Sequence, residues 1–67
     1  MNAGEQRVLS ELQSTLDALA KASEHLESAS QESTASGVSQ KVAGANGLLK
    51  DLQQEVSYLM HLTRSEG

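Results

Sequence analysis

The chain has 67 residues, a formal net charge of −4, and neither cysteine nor proline. Without cysteine it cannot form a disulfide, a thiolate metal site or a cysteine nucleophile. Its five basic residues stand singly, so we expect no nucleic-acid partner, because such binding needs clustered cations that displace counterions. No apolar run approaches the length of a membrane span and no signal-peptide pattern opens the chain, so we expect no membrane partner and a cytoplasmic location.

The composition favours helix over sheet. Sheet cores are filled mainly by β-branched and aromatic residues, yet Tyr58 is the only aromatic residue and isoleucine is absent. Leucine and alanine, which favour helix, are the commonest apolar residues. The composition therefore predicts an all-α fold in a single domain that covers residues 1–67.

The first predicted helix runs from about residue 5 to 31. Asn2 and Glu5 have the three-residue spacing of a helix-start capping pair. Apolar or small residues then recur three and four apart, a pattern typical of a helix face that packs against another helix. They are Leu9, Leu12, Leu16, Leu19, Ser23, Leu26 and Ser30.

A serine-rich stretch that ends in glycine predicts a turn at about residues 32–37, because serine favours caps and turns over helix interiors. Beyond the turn the stripe restarts at Val38, out of phase with the first stripe. This phase break argues against one uninterrupted coiled coil. We predict an antiparallel two-helix hairpin with coiled-coil-like packing.

The second predicted helix runs from about residue 38 to 64. Its stripe comprises Val38, Val42, Ala45, Leu49, Leu52, Val56, Leu59 and Thr63. Gly44 and Gly47 flank an Asn-Gly turn signal and mark a possible break at 44–47. In one interpretation the helix continues and the glycines allow another helix to approach closely. In the other, Asn46 caps a shorter helix and residues 32–46 form a loop. The unbroken stripe favours the continuous helix.

Facing residues of an antiparallel hairpin have residue numbers with a roughly constant sum, here about 71 if the turn centres between Ala35 and Ser36. This register pairs Leu9 with Leu62 and Leu12 with Leu59. The predicted hairpin seam consists of Leu9, Leu12, Leu16, Leu19, Leu26, Val42, Ala45, Leu49, Leu52, Val56 and Leu59.

Several apolar residues lie outside the predicted seam and concentrate near the open end of the hairpin: Val8, Leu48, Tyr58, Met60 and Leu62. A helix that is apolar on several faces is usually buried on several faces. Ordering each residue costs about 1.5 kcal/mol, which the burial within one hairpin only roughly balances. We therefore predict that these five residues form a partner interface that completes a helical bundle, with a second copy or another protein.

The residues that could carry chemistry are sparse. His25 and His61 lie on opposite arms, and neither belongs to a metal-ligand spacing such as His-x-x-x-His. The serines lack the base and the concave site that a nucleophile needs. We expect no catalysis, no metal, no cofactor and no small-molecule substrate.

The sequence thus predicts a non-catalytic structural or protein-interaction subunit of a homo- or hetero-oligomeric helical bundle. In size and architecture, the predicted hairpin resembles accessory subunits of coiled-coil assemblies and co-chaperones of secretion-needle subunits. One alternative is a small acidic adaptor, inhibitor or co-chaperone that presents Glu24, Glu27 and Glu32 to a partner helix. A further alternative is a needle-like or pilin-like polymer subunit.

Overall fold

The structure, a computed structural model, describes residues 3–66. Over that range it consists of two α-helices, α1 (Ala3–Glu32) and α2 (Ser36–Glu66), which pack against each other. This arrangement confirms the predicted all-α helical hairpin. Each helix is slightly longer than the sequence predicts, and the turn shortens to residues 33–35. The predicted capping residue Asn2 lies outside the described residues.

The turn is built by serine and backbone groups rather than by glycine. The Ser33 N–H donates to the Ala29 carbonyl at 3.1 Å, and the Ser33 hydroxyl accepts from the Ala35 N–H at 3.1 Å. The Ala35 carbonyl in turn accepts from the Val38 N–H at 3.1 Å, which starts α2. No residue within 3–66 has a positive φ, and Gly37 lies inside α2. The turn therefore needs no left-handed residue.

Two hydrogen bonds between side chains fix how the helices align. The Ser23 hydroxyl donates to Asn46 Oδ1 at 3.0 Å, and the Ser30 hydroxyl donates to the Ser39 hydroxyl oxygen at 3.2 Å. The residue numbers add to 69 in both pairs. The register therefore differs by two residues from the one predicted from the leucines.

This register defines the seam, the strip along which the helices touch. Its side chains are buried or half-buried: Leu9, Leu12, Leu16, Leu19, Ser23, Leu26 and Ser30 in α1, with Val42, Asn46, Leu49, Gln53, Val56, Met60 and Thr63 in α2. The predicted seam differs at Ala45, Leu52 and Leu59, of which Leu52 and Leu59 are 50% and 47% exposed. Asn46, Gln53 and Met60 take their places. The difference arises because α2 has apolar residues on both sides of the row through Val56, so spacing alone fits either side.

The core is thin. The buried hydrophobic side chains are Val42, Val56 and Met60, with 7–8% exposure each, and α1 contributes none. None of the ten leucines is buried. The hairpin measures 50 × 15 × 9 Å. Because packed helix axes lie about 8–10 Å apart, a thickness of 9 Å leaves room for a single layer of helices, and we call this layer a slab. A slab of this thickness has two broad faces that its own chain does not cover.

Helix α2 is continuous through Gly44 and Gly47. A Cβ atom built at either glycine meets nothing within 4 Å, so α1 does not approach the chain there. The favoured interpretation, a continuous helix, agrees with the structure, and the alternative of a loop over residues 32–46 does not. The close approach suggested for these glycines does not occur with α1. Both glycines lie in ordinary helix that faces open space.

We expect Gly44→Ala and Gly47→Ala each to raise the free energy of unfolding by about 1 kcal/mol, because alanine loses less backbone entropy than glycine in a helix. Urea unfolding followed by circular dichroism, at one fixed protein concentration, measures the change. Ala43→Gly, at an exposed position of the same helix, is the matched control and should lower it by a similar amount. A fall in stability on either glycine replacement would contradict a continuous, unobstructed helix.

The register can be tested next to the turn. We expect the double variant Ser30→Cys with Ser39→Cys to form an intramolecular disulfide, because the two hydroxyl oxygens lie 3.2 Å apart. Closing this short loop should stabilise the hairpin by about 2–3 kcal/mol. Intact mass and free-thiol titration after mild oxidation report bond formation, and unfolding with and without reductant reports its effect. Ser28→Cys with Ser39→Cys is the control and should stay reduced within one chain.

Candidate interaction surface

The seam consists of two rows of facing residues with different chemistry. One row is apolar throughout, and we call it the apolar row: Leu12, Leu19 and Leu26 of α1 opposite Val56, Leu49 and Val42 of α2, pairs whose residue numbers add to 68, within one of the sum for the hydrogen-bonded pairs. The other row starts with Leu9 facing Met60 at the open end. Toward the turn it becomes polar, with Ser23 bonded to Asn46. The hairpin therefore has an apolar side and a polar side.

Apolar and small residues continue beyond the apolar row on both helices. Residues four apart in a helix are neighbours on one face, so the positions four residues before the apolar row flank it on the same side of the hairpin. Together with Ala29 and Leu59, which continue the same seven-residue spacing, they form what we call the apolar flank: Val8, Thr15, Ala22 and Ala29 in α1, with Val38, Ala45, Leu52 and Leu59 in α2. Six of these eight residues are exposed.

The opposite side of the hairpin is polar. The positions that flank the other row are Gln6, Gln13, Ala20 and Glu27 in α1, with Ala43, Lys50, Ser57 and Arg64 in α2. All eight are exposed. Water satisfies such side chains, so this polar face is suited to solvent.

Leu48 and Leu62 lie next to the apolar flank, on the outer edge of α2. Leu48 is 68% exposed, and Leu62 is half-buried. We call the apolar flank with these two leucines the apolar face. Exposed apolar side chains scattered singly are ordinary, but a continuous row of them marks an interaction site.

Two shallow grooves lie on the apolar face. One, of about 540 Å³, is next to the turn, where Leu26 of α1 and Val38, Val42 and Ala45 of α2 line it together. The other, of about 370 Å³, is at the opposite end of the slab beside Val8. Side chains of both helices line the first groove, which agrees with a register that places Leu26 opposite Val42.

The residues predicted from sequence as a partner interface fall in three places. Val8, Leu48 and Leu62 belong to the apolar face. Tyr58 lies on the outer side of α2, where its ring stacks on His61 with centroids 6.5 Å apart. Met60 is only 7% exposed and belongs to the seam, so it is not available as an exposed contact.

Sequence reasoning assigned Val38, Ala45, Leu52 and Leu59 to the stripe of α2 that packs against α1, and did not recognise that they form a separate flank. The signal was present, since these four residues recur at intervals of seven, which is the repeat of a packed helix row. The same interval also describes the row through Val42 and Val56. Two adjacent rows of α2 that share the same seven-residue period indicate that α2 has two separate packing surfaces.

The polar and titratable residues do not form a comparable cluster. Within residues 3–66, no three histidine, aspartate or glutamate side chains come close enough to hold a metal ion. Glu24, Glu27 and Glu32 are exposed and, at 100° per residue, spread around α1 instead of sharing one narrow stripe. No helix in the described part of the chain is long and apolar enough to cross a membrane.

Of these surfaces, the apolar face is thus the one least suited to contact with water. Comparison with models of protein families, with curated proteins and with solved structures found nothing that matches this chain.

Proposed function

We propose that this protein is a non-catalytic interaction subunit whose hairpin assembles with further helices into a helical bundle. The observation that carries the proposal is the apolar face, which lies on one side of a slab only 9 Å thick. Stable domains bury their apolar faces between at least two layers of secondary structure. A second layer from outside the chain would complete that arrangement here.

Helices are the partner that fits this surface best. The apolar face runs the length of two helices that pack side by side over 50 Å, and its rows repeat every seven residues as in helical bundles. Another helical layer would cover it fully.

The chemistry of the surface supports binding rather than catalysis. The larger groove is lined mostly by alkyl groups, including Leu26, Val38 and Val42. Alkyl groups supply neither the proton transfer nor the nucleophile that covalent chemistry needs. The acidic-adaptor alternative would need a concentrated negative surface, which Glu27 and Glu32, about 140° apart around α1, do not favour. A co-chaperone that covers a helix of another protein would use this same apolar face.

Site-specific photo-crosslinking in the cells that naturally make the protein tests the proposal. We expect a benzophenone amino acid at Leu52, on the apolar face, to form a discrete protein adduct, because that face would be covered by another helix. The same amino acid at Ser57, on the polar face, should form far less. Mass spectrometry of the adduct identifies what was bound.

Circular dichroism must first show that both labelled variants are as helical as the unmodified chain. Similar adduct yields at Leu52 and Ser57, or no adduct at either position, would contradict an interaction function for the apolar face.

A further inference from the structure

We infer that the occupant of the apolar face is a second copy of this chain, packed face to face with its turn at the opposite end. The inference rests on the proposed function and names its partner. In this opposite-end arrangement, α1 packs antiparallel on α1 of the second copy, and α2 on α2. The alternative is a same-end arrangement, in which α1 packs on α2 of the second copy and both turns lie together.

The exposed area fits one partner of this size. The single chain exposes 4952 Å², whereas a compact monomer of 7.1 kDa exposes about 4,100 Å². The excess is close to the roughly 800 Å² that one partner loses in a stable interface. Covering one face of the hairpin with a second copy of the same size would remove this excess exposed area.

Side-chain size selects the opposite-end arrangement. In that arrangement Ala45 of one copy lies next to Leu52 of the other, so small and large side chains share a layer. In the same-end arrangement Ala22 and Ala45 of both copies would share one layer. Four alanines in one layer leave a void, and protein interiors are packed without such voids.

Charge selects the same arrangement. Lys41, Leu48 and Glu55 lie in one row at the outer edge of the apolar face, seven residues apart. With a twofold axis at Leu48, Lys41 of each copy meets Glu55 of the other. In the same-end arrangement Glu55 would meet Glu11 of the second copy, which is repulsive. Within one chain, Lys41 and Glu55 are about 21 Å apart along α2 and cannot pair.

A single cysteine reports the arrangement directly, because the chain has none of its own. We expect Leu48→Cys to form a disulfide-linked dimer under mild oxidation, since each copy places residue 48 at the axis. In the same-end arrangement residue 48 would face Ala18 of the other copy, so only the double variant Ala18→Cys with Leu48→Cys would crosslink. Ser57→Cys, on the polar face, is the control for random collision.

Exchanging the charges at positions 41 and 55 tests the arrangement independently, with the dimer dissociation constant measured by sedimentation equilibrium. We expect the unmodified chain to have twice the 7.1 kDa mass of a single chain. Lys41→Glu should raise the dimer dissociation constant about tenfold, because it makes both edge contacts repulsive, and adding Glu55→Lys should restore it. Lys50→Glu, on the polar face, should leave it unchanged.

The outcomes separate this inference from the proposed function. A chain that remains monomeric at all concentrations, yet crosslinks to another protein from Leu52, overturns the second-copy inference and leaves the interaction function standing. Masses that grow beyond a dimer overturn the closed arrangement in favour of a polymer. Failure of both the crosslink and the association overturns both proposals.

Discussion

A single layer of two helices can bury only the strip along which they touch. Every other feature of this hairpin depends on that constraint. The leucines of α1 contact α2 on one side only, so each remains partly exposed. Among the described residues, the buried hydrophobic side chains are Val42, Val56 and Met60, with 7–8% exposure each. Extending the helices would lengthen the strip without making it wider. Only a second layer can cover the remaining apolar surface.

Polar pairs, rather than leucines, set the alignment within this layer. In the register predicted from the leucines, Ser23 would lie opposite Leu48, and its bond to Asn46 would be lost. Leaving polar side chains unpaired in a partly dry seam costs more than shifting an alkyl contact, because leucine packs acceptably against several neighbours. A polar pair in a helical seam therefore fixes the register at a cost in stability. The bond between Ser30 and Ser39 repeats this arrangement nearer the turn.

The sequence was sufficient to predict two helices, a hairpin and the stripe of α1, because proline is absent and only one face of α1 carries leucines. It was insufficient for α2, where the Val42 row and the Leu52 row have the same seven-residue period. Choosing between them needs the geometry of a hydrogen bond between residues 23 positions apart, which no local pattern encodes. Helix α2 continues through its two glycines, as the unbroken stripe favoured, because helical propensity is only a weak prior.

The distribution of contacts along the seam also bears on how fast the chain folds. The pairs nearest the turn are hydrogen bonds between small polar side chains, such as Ser30 with Ser39, which contribute little burial. The larger apolar pairs, such as Leu9 with Met60, join residues about 50 positions apart. Folding must therefore close a long loop before Val56 and Met60, two of the three buried hydrophobic side chains, are covered, and loop closure is opposed by chain entropy. By the general relation between contact order and rate, we expect slower folding than in a hairpin with its leucines beside the turn.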